Sequence, residues 1–130
     1  MAVPMFVLIV EDEPFIQDLM AEVLIDNGYR IAAASDGIEA MSFLDHEGSR
    51  YDVMITDVVL PGLLSGWEVA ARARWINPTL PIIHMTGGEP GAWNARGVPG
   101  SVMLAKPFTL TQLVQAVVQV TKVLSLSLYC

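Results

Sequence analysis

The chain has 130 residues, 53% of them apolar, which is enough for one domain with one substantial core. Its formal charge of −7 and pI near 4.5 lack the basic footprint that DNA or RNA binding requires, so no direct nucleic-acid partner is expected. The single cysteine, Cys130, rules out an intrachain disulfide or cysteine metal site, and no run approaches about 18 uninterrupted apolar residues, so a soluble, cytoplasmic protein with no membrane span is expected.

Apolar runs of strand length alternate with helix-period segments, the pattern of a parallel sheet covered by helices on both faces. The first strand is expected at about 5–10: the N-terminal segment has no basic flank or cleavage site and runs directly into Glu11-Asp12-Glu13. Pro14 opens a helix whose apolar stripe is Phe15, Ile16, Leu19, Met20, Val23 and Leu24, and Asn27-Gly28 closes it. A strand at 30–34 precedes a helix that starts near Asp36, with Glu39 three residues on, and buries Ile38, Met41 and Leu44.

The third strand, 52–56, is closed by Asp57. Ser65 and Glu68 have capping-box spacing for the next helix, which stops at Asn77-Pro78. A fourth strand is expected at 80–85 and a fifth at 101–105. Between them Pro90, Gly91, Gly97, Pro99 and Gly100 leave room only for a short, weak helix around Ala92 to Arg96. Thr109 and Gln112 repeat the capping signature before Leu113, Val114, Val117 and Val120. Residues 1–124 form one domain. The apolar tail 125–130 reads as a helix extension or as a contact for a second copy, which would make a homodimer. No output module is expected beyond it.

In open α/β sheets ligands bind beyond the carboxyl ends of the strands. Those ends present Glu11 and Asp12, Asp57, Thr86 and Lys106. Crowded carboxylates repel one another, and oxygen ligands without histidine or thiolate favour Mg²⁺. Lys106 follows an apolar run, so its charge needs an anion and should reach toward the acids. These groups suit phosphoryl transfer: Asp57 as nucleophile, Lys106 and Mg²⁺ balancing charge on the phosphoryl oxygens, and Thr86 donating a hydrogen bond to one of them.

On Val7-Leu8-Ile9-Val10-Glu11-Asp12-Glu13, Thr56-Asp57 with Pro61-Gly62, Thr86-Gly87 and Lys106-Pro107-Phe108, in matching order and spacing, the chain resembles the response-regulator receiver domain family. The resemblance implies a doubly wound, five-stranded parallel sheet of order 2-1-3-4-5, a flavodoxin-like three-layer α/β/α fold. It implies phosphorylation of Asp57 by a histidine kinase or phosphotransfer protein, and a downstream protein target. It further implies Mg²⁺ on Asp12, Asp57 and the Val59 carbonyl with Glu11 acting through water, and a cis peptide between Lys106 and Pro107.

This chain departs from the family pattern in two places. Asp57 to Gly66 holds one residue more than usual, with Ser65 replacing the usual acid. Met103 stands where an aromatic switch residue coupled to the threonine is common, which puts an aromatic switch in doubt. Val59 and Gly88, at positions that tune phosphoryl lifetime, cannot position a water, so slow hydrolysis is expected.

His84 reads as structural, His46 as a solvated helix end, and Trp67 and Trp75 as core or half-buried; Trp93, in the weak helix, is a candidate partner contact. The leading function is a stand-alone, phosphorylation-controlled binding switch or phosphorelay component. The rivals are an aspartate-nucleophile phosphatase, disfavoured because Val59 replaces the second acid such enzymes need, and an interaction module whose switch has decayed.

Overall fold

The computed structural model describes residues 3–87 and 97–128, with side chains as far as Thr121. Its elements in chain order are β1 (Phe6–Val10), α1 (Pro14–Asp26), β2 (Arg30–Ala34), α2 (Gly37–Glu47), a 3₁₀ turn (Gly48–Arg50), β3 (Val53–Asp57), α3 (Gly66–Ile76), β4 (Ile82–Thr86), β5 (Val102–Ala105) and α4 (Leu110–Leu128). The five strands are parallel in the order β2-β1-β3-β4-β5, as expected. The expected weak helix, Trp93 and Gly88 lie outside the described residues.

Strand alternation divides the core between the two faces. Val7 and Ile9 join Met20 and Leu24 of α1 and Leu113 and Val117 of α4, while Leu8 and Val10 join Ala40 and Leu44 of α2 and Val69, Ala70 and Ala73 of α3. β1, β3 and most of β4 are buried on both sides, which is why they read as nearly unbroken apolar runs.

The helix signals act as expected at three starts. Asp36 Oδ1 accepts the Glu39 N–H at 2.8 Å. Ser65 and Glu68 close a reciprocal capping box, and so do Thr109 and Gln112. β3 and β4 each end one residue later than expected, because the ladder carries on into the loops: Val58 N–H donates to Met85 O at 3.0 Å and Lys106 N–H to Thr86 O at 2.8 Å. Asp57 and Thr86 are therefore the last residues of β3 and β4.

Three apolar residues expected inside are outside: Phe15, Ile38 and Trp75 are 68%, 64% and 74% exposed. In α1 the buried line runs through Met20 and Leu24, with Ile16 packed against it one turn earlier; Phe15 is rotated off that line by about 100°. Ile38 sits beside the inward Gly37-Ala40-Leu44 stripe, and Trp75 lies between the inward positions Ala73 and Ile76. Trp75 is instead covered on one side by the Arg72 guanidinium, 4.7 Å from its ring centroid, and Arg72 in turn holds Asp45 at 3.0 Å.

Candidate functional site

Glu11, Asp12, Asp57, Thr86 and Lys106 meet at the carboxyl edge of the sheet. Glu11 and Asp57 are almost fully buried and Asp12 is exposed; one carboxylate oxygen from each of the three lies within 4.8 Å of the others. Glu11 is rooted by its N–H to Ala34 O at 3.0 Å, and its Oε2 accepts the Glu13 N–H at 3.2 Å. Lys106 brings a cation into the cluster, with Nζ 2.5 Å from Asp57 Oδ1 and 3.6 Å from Glu11 Oε1. Its peptide to Pro107 is cis, as expected.

Burial raises the Glu11 pKa above the ordinary carboxylate value, and the hydrogen bond and negative charge of Asp57 raise it further. Burial works against the Lys106 charge, but the hydrogen bond and charge of Asp57, followed by Glu11, hold its pKa above the usual lysine value. One cation thus answers an excess of negative charge. Hard oxygen donors, crowding and residual charge together fit a divalent cation such as Mg²⁺.

The backbone beneath Asp57 depends on a residue that the sequence reading overlooked. A Cβ on Gly66 would stand 1.8 Å from Asp57 O and 2.9 Å from Val58 Cα. Gly66 N–H donates to Val58 O at 2.8 Å, so the first turn of α3 rests directly on the main chain of Asp57 and Val58. The available signal was a glycine just inside a well-capped helix, where it costs about 1 kcal/mol relative to alanine unless space demands it.

Thr86 is half-buried at the end of β4, and the Val59 side chain is 82% exposed in the loop that follows Asp57. Met103 is half-buried in β5, in register with His84, which is itself in register with Thr56. His84 is fully buried, as its structural reading required, and its ring lies 4.7 Å from the ring of Trp67. Neither of its nitrogens has a hydrogen-bond partner among the described residues. Burial, reinforced by the Arg74 charge, lowers its pKa to about 4. His46 is exposed at its helix end and Trp67 is buried.

Beside the acids a cleft of about 630 Å³ opens between α1 and the β5–α4 turn. Glu11, Asp12, Glu13 and Lys106 line its polar end, and Ile16, Leu19, Met20, Pro107, Phe108 and Leu110 its apolar wall.

Residues 7–118 match the response regulator receiver domain family. The chain belongs to that family. The transcriptional regulatory protein TcrA of Mycobacterium tuberculosis is 35% identical over 109 residues, covering 82% of this receiver but 42% of TcrA. The receiver therefore spans less than half the length of that relative. A response regulator receiver protein from Sinorhizobium medicae superposes with a TM-score of 0.85 at 35% identity, over 90% of this chain and 94% of that one. The receiver domain of the sensor histidine kinase PA1611 from Pseudomonas aeruginosa superposes with a TM-score of 0.74 at 28% identity, over 90% and 97%. That structure carries a magnesium ion coordinated in its active-site cleft. Among the described residues of this receiver no helix is long and apolar enough to cross a membrane.

Proposed function

We propose that this receiver is a phosphorylation-controlled switch whose Asp57 accepts a phosphoryl group from the phosphohistidine of a kinase or phosphotransfer protein. The observation that carries this reading is the Lys106 ammonium set against Asp57 and Glu11 at the sheet edge. An Asp57 carboxylate oxygen forms the new bond to phosphorus, the donor's phosphorus–nitrogen bond breaks, and the departing imidazole keeps the electron pair and gains a proton. Lys106 counters charge on the phosphoryl oxygens, and the Thr86 hydroxyl, at the end of β4, donates to one of them. Asp12, Asp57 and the Val59 carbonyl would hold Mg²⁺ directly, with Glu11 through water. The ion, when bound, neutralises negative charge on the acids and the incoming phosphate.

The cleft's apolar wall supplies a surface for the donor protein beside Glu11, Asp12 and Lys106. Val59 offers no group to orient an attacking water and none to act as general acid, so the phosphorylated form should persist, and turnover as a phosphatase is disfavoured.

The test is incubation with Mg²⁺ and acetyl phosphate, followed by mass spectrometry. A one-phosphate gain that is absent in Asp57→Asn is expected, with loss of label over minutes or longer. Continuous donor consumption would support the phosphatase, and no gain would support an interaction module in which Met103 marks a lost switch. Hydrolysis of the label within seconds would refute the slow-release reading.

A further inference from the structure

The loop between β3 and α3 is one residue longer than is usual in receivers, and three contacts define its path. Its far end sits on Asp57 through Gly66, and Leu60 is buried in the core. Leu64 forms the third contact by lying against Gly37 at the start of α2. A Cβ on Gly37 would stand 2.6 Å from Leu64 Cβ, 3.2 Å from its carbonyl oxygen and 3.5 Å from its carbonyl carbon. Between these anchors Val59 and Leu63 point outward, 82% and 94% exposed, and contribute no packing that would fix the loop.

We propose that Gly37 is a positioning residue for the metal-binding edge: by carrying no side chain it lets Leu64 seat the loop that presents the Val59 carbonyl beside Asp57. This rests on the metal-assisted phosphoacceptor reading given above. The start of α2 is the stiffer partner in the contact. Gly37 is buried, Asp36 caps the helix through the Glu39 N–H, and the Glu39 carboxylate accepts the Ser35 N–H at 2.9 Å. A methyl group at position 37 would therefore displace the loop, from 2.6 Å toward the 3.4 Å at which ordinary contact begins. The atom it would overlap is Leu64 Cβ, which the main chain fixes, so a side-chain rotation cannot relieve the overlap.

Gly48, at the other end of α2, provides a control that does not touch the loop. A Cβ there would stand 2.8 Å from Ile76 Cγ2, a comparably tight approach to a side-chain tip remote from the acids. Mg²⁺ affinity measured by isothermal titration calorimetry on the whole chain is the readout, with thermal unfolding recorded without metal. Gly37→Ala is expected to weaken Mg²⁺ binding about tenfold, the size of effect typical for groups that position a ligand from behind. Gly48→Ala should remain within about twofold of wild type, because it strains the helix without touching the loop. Gly37→Ala/Leu64→Gly, which removes the nearest overlapping atom, should recover most of the affinity, and it takes the place of the single variant if that one does not fold. Equal losses in Gly37→Ala and Gly48→Ala, an unchanged affinity in Gly37→Ala, or a folded double variant without recovery would each overturn the inference. A wild-type chain with no Mg²⁺ affinity would overturn the metal-site reading itself, and this inference with it.

Discussion

His84 couples the stability of the receiver to acid. In the folded chain its imidazole is wholly buried, has no hydrogen-bond partner among the described residues and titrates at about 4, against 6.5 when free. The unfolded chain therefore binds more protons between those values, and stability must fall as pH drops from about 6.5 toward 4. A separation of about 2.5 units corresponds to roughly 3 kcal/mol when fully developed, of which about 2 kcal/mol is lost by pH 5. That is a large share of the roughly 5–15 kcal/mol that holds a typical domain together. His84→Phe keeps a ring against Trp67 and removes the proton site. Urea unfolding followed by circular dichroism at pH 7, 6 and 5, without metal, gives the difference between wild type and variant at each pH. The gap should move by about 2 kcal/mol in favour of the variant between pH 7 and pH 5. Parallel losses in the two proteins would falsify the assignment, since the groups they share, Glu11 included, cancel in the comparison.

Glu11 has the opposite sign. Its raised folded-state pKa means that the ionised form carries a penalty that is complete above that value and relieved as pH falls through it toward 4.5. Glu11→Gln should therefore unfold at a higher temperature than wild type at pH 7 without metal, yet bind Mg²⁺ about tenfold more weakly by calorimetry. Lys106→Met removes a competing cation from Asp57. Mg²⁺ affinity should rise and the rate of phosphorylation by acetyl phosphate should fall, with a metal-free stability loss of about 1 kcal/mol, discounted because the amine is partly solvated. Gly66→Ala must push Asp57 and α3 apart. A loss of about 3 kcal/mol or more in urea unfolding, together with loss of the Asp57 mass gain, is expected, and a stable, phosphorylatable variant would show that the contact is relieved at little cost.

The five strands, the four described helices and the placement of Glu11, Asp12, Asp57, Thr86 and Lys106 at the sheet edge were legible in the sequence because each had a local cause. Caps need particular atoms three residues apart, buried parallel strands need apolar runs, and an acid or lysine placed after such a run has to lie at the sheet edge. Phe15, Ile38 and Trp75 were misread because apolar periodicity defines a stripe only to within about one residue's rotation, and each stands next to a residue that does pack inward. The supports beneath Asp57 and the loop were invisible for a different reason. Gly66 meets a residue nine positions earlier and Gly37 one twenty-seven positions later, and a missing side chain announces itself only when its neighbour is known.

Gly66 also has an optical consequence. It leaves no slack between the main chain of Asp57 and the first turn of α3, and the next residue is Trp67, buried with its indole against the His84 ring. A chemical event at the carboxylate that shifts this main chain by a fraction of an ångström is passed straight to a shielded fluorophore, whereas Trp75 lies in solvent where iodide can quench it. Trp67 is thus an intrinsic gauge beside Asp57, shielded from solvent where Trp75 is not.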